Sequence, residues 1–306
     1  MSRQPTFTQD LDLPTLIQKY GSEDRCREFL AELRWPNGVT CPRCEASKGI
    51  SQLRSRGQYE CDACGYQFSV TAGTIFHDSH LPLWKWLLAV YLIGESKKGI
   101  SSNQLKRMLG VSYKTAWYLS HRIREAMKDE AGDLLTGIIE ADDTDFGPRG
   151  HKRGRGSRKT VVLGAVERGG RVKMKVQDRV TKRNLHGFLR SAIADDAEAI
   201  YTDAFPAYGD LSDGNTRHGV INHSEGVCIE ADVHTQTIEG VWSLLKRSII
   251  GSYHHLSVKH LDAYLDEMAF RYNNRENAYL FRDTLKRLIG AGGMTYSELI
   301  ATPAAS

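Results

Sequence analysis

At 306 residues, with 41% hydrophobic and 25% charged side chains, the chain has the composition of a folded protein with room for two or three domains. No apolar run reaches the roughly eighteen residues of a membrane helix. The opening MSRQPTFTQDLDLP lacks a basic start followed by an apolar stretch, so a membrane partner and a secretory signal are not expected and the cytoplasm is the expected location. The net charge of +4 is modest but unevenly spread: residues 97–128 hold eight Lys/Arg against Glu125 alone, 149–159 hold six and no acid, and 195–232 hold nine Asp/Glu against Arg217 alone. The basic segments suggest phosphate contact and the acidic one metal binding, with solvated surface charge as the plain alternative.

In chain order, a helical segment spans 1–37: residues 10–34 read as short helices that stop before Trp35-Pro36-Asn37-Gly38. A cysteine module follows over 38–75. Its pairs, Cys41-Pro-Arg-Cys44 and Cys61-Asp-Ala-Cys64, are sixteen residues apart, inside the range of a four-thiolate zinc site. Two residues between paired cysteines let a tight turn aim both sulfurs and some backbone N–H groups at one ion, and two such turns complete a tetrahedron. Four thiolates leave no open position for water or substrate, so the expected Zn2+ is structural. A ribbon with little core leans on such a metal, worth roughly 10–16 kcal/mol in comparable peptides. A redox dithiol accounts for one pair but not two. Gly65 suits the second turn, and Tyr66, Phe68 and Val70 alternate as in a strand. His77 and His80 read as ordinary polar residues, and Cys26 and Cys228 stand alone.

The region 82–130 reads as helical and DNA-binding. Leu83 to Gly94 is an apolar packing helix with Trp84 and Trp86 in core or interface. Gly99 to Met127 divides at Gly110-Val111-Ser112 into two helical patterns: Ser102 caps the first, with Leu105 and Leu109 on one face, and Ser112 caps the second, with Ala116, Leu119 and Ile123 at helical spacing. That is a helix-turn-helix pattern, with an ordinary helical hairpin as its rival. The second helix carries Lys114, Tyr118, His121, Arg122 and Arg124, side chains able to reach phosphates or base edges.

From 137 onward strands alternate with helices. Gly137 to Phe146 is a strand, Thr160–Glu167 and Arg171–Gln177 form a hairpin, and Thr181–Ile193 is a helix. Ala199 to Thr202 is a short strand ending at Asp203, with another at Arg217–Asn222. A long helix runs from Thr235 to Ile250 and a last helical segment from Ser257 to Ile289, interrupted near Asn273-Asn274. Three acids are candidates for holding divalent metal: Asp142 in the first strand, Asp203 at a strand-to-loop edge, and Glu239 early in the long helix. In that helix Ile238, Trp242, Leu245 and Ile249 form a buried face, and Glu239, Ser243 and Lys246 line the adjacent stripe. Strand alternation leaves open whether Asp142, or Asp143 and Asp145, face the site, and a lone aspartate at the place of Asp203 is as readily a turn residue.

The segments CPRC…CDAC, IIEADDTDFG, IYTDAFPAY and VHTQTIEGVWSLLKRSIIGSYHHLSVKHLDAYLDEMAFRYNNR make the chain resemble prokaryotic insertion-sequence transposases that join an N-terminal zinc ribbon to an RNase H-like DDE domain, the branch akin to eukaryotic Merlin elements. The likeness covers about residues 20 to 290. It implies an α/β fold: an RNase H-like mixed-sheet domain over 135–290, preceded by the ribbon and helix-turn-helix and followed by a tail at 291–306. It implies Asp142, Asp203 and Glu239 as catalytic ligands of two Mg2+ or Mn2+ ions, and 35 residues separate the last two acids. Asp143 stands where relatives often have glutamate and Gln236 where many have asparagine, so Gln236 is a reserve third ligand, and His234 sits close by. The partners implied are double-stranded DNA, as terminal inverted repeats and target, and further copies of the chain in a synaptic complex near the nucleoid. Phosphate contacts would come from Arg149, Lys152, Arg153, Arg155, Lys246 and Arg247. A non-catalytic DNA-binding regulator and a nuclease that cuts without joining are the alternatives.

Overall fold

A computed structural model describes residues 11–128, 132–147, 160–211, 216–221, 233–254 and 256–301. Arg149, Lys152, Arg153, Arg155 and Cys228 lie outside the described residues. The chain divides into two compact units, Met1–Met127 with Glu276–Ser306, and Lys128–Arg275.

The first unit begins with α1 (Leu13–Tyr20) and α2 (Glu23–Arg34), whose first turns accept side-chain caps from Asp12 and Ser22. The ribbon is an antiparallel sheet of β1 (Ile50–Leu53), β2 (Gln58–Cys61) and β3 (Gln67–Ser69) in that order. Its small core joins Phe68, Cys41 and Cys61 to Trp35 and Tyr59. Helix α3 (Leu83–Glu95) buries Trp86, Leu87, Val90 and Ile93. It leads to α4 (Ser102–Leu109) and α5 (Tyr113–Glu125). Leu105 and Leu109 are buried on α4, and Ala116, Leu119 and Ile123 on α5, as the spacing predicts. Ser112 caps α5, but Ser101, not Ser102, caps α4; Ser102 is its first, buried residue.

The second unit is built on a sheet of β4 (Ile138–Phe146), β5 (Thr160–Glu167), β6 (Val172–Gln177), β7 (Ala199–Asp203) and β8 (Arg217–Ile221) in the order β6-β5-β4-β7-β8. β6, β5 and β4 are antiparallel neighbours, whereas β4, β7 and β8 run parallel. Helix α6 (Lys182–Ala192) packs Leu185, Phe188 and Leu189 on one face, against Ile139, Ala141, Leu163 and Ile200. Helices α7 (Gln236–Ser248) and α8 (Leu261–Asn273) pack on the other, where Ile238, Val241, Trp242 and Leu245 meet Val162, Val166 and Val172. The result is a mixed sheet with helices on both faces, as the resemblance implies. A π-helical turn, Ile249–Tyr253, closes α7. Asn273 ends α8 by pairing with the main chain of Val172, accepting from its N–H at 2.7 Å and donating to its carbonyl at 3.0 Å.

Helices α9 (Leu280–Gly290) and α10 (Tyr296–Ile300) return to the first unit. The boundary expected at 290 therefore falls between Arg275 and Glu276. The reason is apolar: α9 buries Phe281, Leu285 and Leu288 against α2 and α3, and the Phe281 ring stacks on Phe29 at 6.3 Å.

Candidate functional site

Both cysteine pairs of the ribbon adopt one backbone turn. Cys41 N–H donates to Ala46 O and Glu45 N–H to Cys41 O, each at 2.9 Å; Cys61 N–H donates to Tyr66 O at 3.0 Å and Gly65 N–H to Cys61 O at 2.8 Å. Glu45 (φ 60°) and Gly65 (φ 65°) occupy the same left-handed corner, easy for glycine and strained for glutamate. The turns bring Cys41 Sγ to 3.8 Å from Cys64 Sγ and Cys44 Sγ to 3.6 Å from Cys61 Sγ. A tetrahedron with Zn–S bonds of about 2.3 Å has edges of about 3.8 Å, so the cage has the dimensions of a structural zinc site. Burial raises the Cys41 thiol, but N–H groups of Arg43 and Cys44 and the adjoining thiols outweigh it and bring it down to about 7. Despite the N–H of Ala46, Cys44 is pushed up to about 12 by the surrounding thiols of Cys64, Cys61 and Cys41. A cage that stabilises one thiolate and crowds the next is one that a divalent cation would relieve.

In the second unit the sheet decides which acids share a face. Ile139 and Ala141 point to the α6 side, so Glu140 and Asp142 point to the α7 side and Asp143 away from it. The parallel register pairs Glu140 with Tyr201, and continued by two residues it sets Asp142 level with Asp203 on the same face. Both lie just past the last residues that pair β4 with β7, on the carboxyl-terminal side of that parallel pairing, where open α/β sheets place ligands. Asp142 Oδ2 accepts a 2.9 Å hydrogen bond from Trp242 Nε1. The antiparallel partner of Asp142 is Gly164, where a Cβ would stand 2.5 Å from Trp242 Cη2. The missing side chain is what lets the indole lie across the sheet and reach the carboxylate. Desolvation, helped by the nearby charges of Asp143 and Asp203, raises Asp142 to about 7 against hydrogen bonds from the Asp143 N–H and Trp242.

Helix α7 carries the third acid. Glu239 is exposed beside the buried Ile238 and lies one turn before Trp242, so it stands next to the residue that touches Asp142. Thr235 Oγ1 donates to Glu239 Oε1 at 3.5 Å. Gln236, Ser243, Lys246 and Arg247 are also exposed on this helix. Among the described residues, the four cysteines alone form a set of three or more His, Cys, Asp or Glu whose ligand atoms all lie within 4.8 Å of one another. Asp142, Asp203 and Glu239 do not close to that distance. Two ions about 3.5–4 Å apart, each with oxygens at about 2.1 Å, span roughly 8 Å between outermost ligands, so a two-ion site does not demand it.

Glu140 is a residue that the sequence did not single out. In the structure it is fully buried, with five contacts: Arg168 Nε at 2.7 Å, Thr237 N–H at 2.7 Å, Thr237 Oγ1 at 2.9 Å, Ile238 N–H at 3.1 Å and His234 Nδ1 at 3.2 Å. Strand alternation could have placed it on the face of Asp142, but nothing local reveals partners 97 residues away.

The expected DNA-facing side chains of α5 separate into two groups. Lys114 is exposed on the first turn, its ammonium 4.2 Å from the centre of the Tyr296 ring. Arg122 and Arg124 are only 4% and 1% exposed, which corrects the expectation that they reach DNA. Arg122 donates to the carbonyls of Ile75 and His77 and lies against the Trp86 ring, so the C-terminal half of α5 is structural.

Residues 134–273 match the ISXO2-like transposase domain family, and residues 21–67 match the transposase zinc-ribbon domain family. A Halobacterium salinarum protein described as an uncharacterized protein in transposable element ISH50 is 31% identical over 252 residues, 76% of this chain and 84% of that one. Solved structures with some likeness include a simian T-cell lymphotropic virus intasome in complex with PP2A regulatory subunit B56 gamma (TM-score 0.31, 15% identity, 67% of this chain and 73% of that chain). The Mos1 strand transfer complex is another (TM-score 0.30, 13% identity, 67% and 75%).

Proposed function

The chain belongs to the ISXO2-like transposase family and is a DNA transposase, and from that premise we propose that Asp142, Asp203 and Glu239 are the acids with which it cleaves and joins the ends of an insertion sequence. The observation that carries this reading is the common face of Asp142 and Asp203, with Trp242 linking Asp142 to the helix that bears Glu239. The donor set suits hard divalent cations: three carboxylates, one of them desolvated beside a second. Two Mg2+ or Mn2+ ions held there would supply activation of a water and stabilisation of the departing 3′ oxygen. Gln236 is one turn earlier on α7, and its neutral amide is the poorer ligand for such ions.

The chain's own residues do the rest. Trp242 fixes the direction of Asp142 Oδ2. Lys246, two turns beyond Glu239, and Arg247 would hold the phosphate backbone, together with Arg149, Lys152, Arg153 and Arg155. The ribbon and the first turn of α5, with Lys114, would hold the terminal repeat, since recognition helices meet base edges with their N-terminal residues. The freed 3′-OH would then attack a target phosphorus in line, the new P–O bond forming as the bond to the target strand's own 3′ oxygen breaks and that oxygen leaves as a 3′-OH, and bringing two ends to one target calls for at least two copies of the chain.

Labelled terminal-repeat DNA with a target plasmid tests this. Wild type should give cleaved ends and joined products only with Mg2+ or Mn2+, and Asp203→Asn should lose both while keeping terminal-repeat affinity. Cleavage without joining would leave a nuclease, binding without cleavage a regulator, and wild-type cleavage by the variant would end the assignment.

A further inference from the structure

Helix α7 has no cap of its own. Thr235, at its N-cap position, makes no side-chain capping bond. The first N–H groups of a helix need acceptors, and the aligned peptide dipoles leave partial positive charge there. Here a carboxylate from the neighbouring strand takes the job: Glu140 Oε2 accepts from the N–H groups of Thr237 and Ile238, the second and third residues of the helix. Its other oxygen accepts from Thr237 Oγ1 and from Arg168 Nε. Arg168 also donates to the carbonyl of His234 at 3.0 Å, tying down the approach to the helix.

Glu140 is two residues from Asp142 on the same face of β4, and Ile238 is adjacent to Glu239. One buried side chain therefore fixes the start of α7, in height and in rotation, to the strand that carries the first acid. We propose that Glu140 is a positioning residue that sets Glu239 against Asp142, acting as an N-cap supplied from the sheet. The inference rests on the reading of Asp142 and Glu239 as catalytic acids. A purely architectural buried ion pair needs only its arginine; the two backbone N–H bonds go to the turn that bears the third acid.

The experiment uses full-length, zinc-loaded protein. Mn2+ affinity is measured by calorimetry and end cleavage on labelled terminal-repeat DNA for Glu140→Gln, Thr237→Ala, Glu239→Gln and the Glu140→Gln/Glu239→Gln double variant. Outer partners of metal ligands typically contribute about 10–100-fold to affinity or activity. Glu140→Gln should weaken Mn2+ binding about tenfold or more and slow cleavage likewise, with terminal-repeat affinity unchanged. Thr237→Ala, which removes one bond and strands no buried charge, should give a smaller loss of the same kind if Glu140→Gln does not fold. In the Glu239→Gln background, Glu140→Gln should cause no further loss of Mn2+ affinity, because the ligand it positions is already gone. Wild-type Mn2+ affinity in the folded Glu140→Gln and Thr237→Ala variants, or losses that simply add in the double variant, would overturn the inference. Full cleavage by Glu239→Gln would instead defeat the catalytic reading beneath it.

Discussion

Gly164 and Asp142 show how much of the site rests on single positions. Gly164→Ala would drive a methyl group into the Trp242 indole, and overpacking of this kind costs roughly 1–3 kcal/mol. We expect a lower melting temperature together with reduced end cleavage, since the displaced indole also releases Asp142 Oδ2; a variant with wild-type cleavage and melting would show that the contact is idle. Asp142 also predicts a pH dependence. In zinc-loaded protein without Mg2+, its carboxyl keeps its proton to about 7 when folded but to only about 4 when unfolded. The folded state then binds more protons in that window, so the contribution of this group is full below about pH 4 and lost as pH rises through about 7. Urea midpoints read across that range should fall with pH, and Asp142→Asn should flatten the fall. Alternation alone could not choose Asp142 over Asp143, because it gives two faces and both are covered by helices; only the family resemblance pointed to Asp142.

At the scale of elements, the signals legible beforehand were those written in local residue spacing. The apolar stripe of α7 appears as buried Ile238, Trp242 and Leu245 with Glu239, Ser243 and Lys246 outside it, and the cysteine spacing appears as a cage of four sulfurs. Partners from other elements were not legible: Arg122 has the look of a DNA contact in α5 because the carbonyls of Ile75 and His77 are not visible from its own sequence, and the burial of Arg124 is hidden in the same way. The ribbon's paired turns predict an asymmetry. A left-handed residue other than glycine costs about 1–2 kcal/mol, so Glu45→Gly should be neutral or stabilising in a melting experiment, whereas Gly65→Val should lower the melting temperature and loosen zinc, read by competition with a chromogenic chelator. Equal effects of the two changes would refute the shared corner.

Across the whole molecule, the return of α9 to the first unit was hidden because α8 and α9 read as one interrupted helical run. A chain ending at Arg275 should therefore leave Phe29 of α2 and the apolar face of α3 uncovered. It should lower the stability of the Met1–Met127 portion, detected as an earlier first melting transition, without moving a transition of Lys128–Arg275; an unchanged first transition would argue against this partition. The central claim remains that three acids, on β4, β7 and α7, converge to hold a pair of cations. Anomalous diffraction from crystals soaked in Mn2+ measures it directly. The account predicts two peaks about 4 Å apart, held among Asp142, Asp203 and Glu239. Manganese bound elsewhere, or peaks there that Glu239 does not touch, would contradict it.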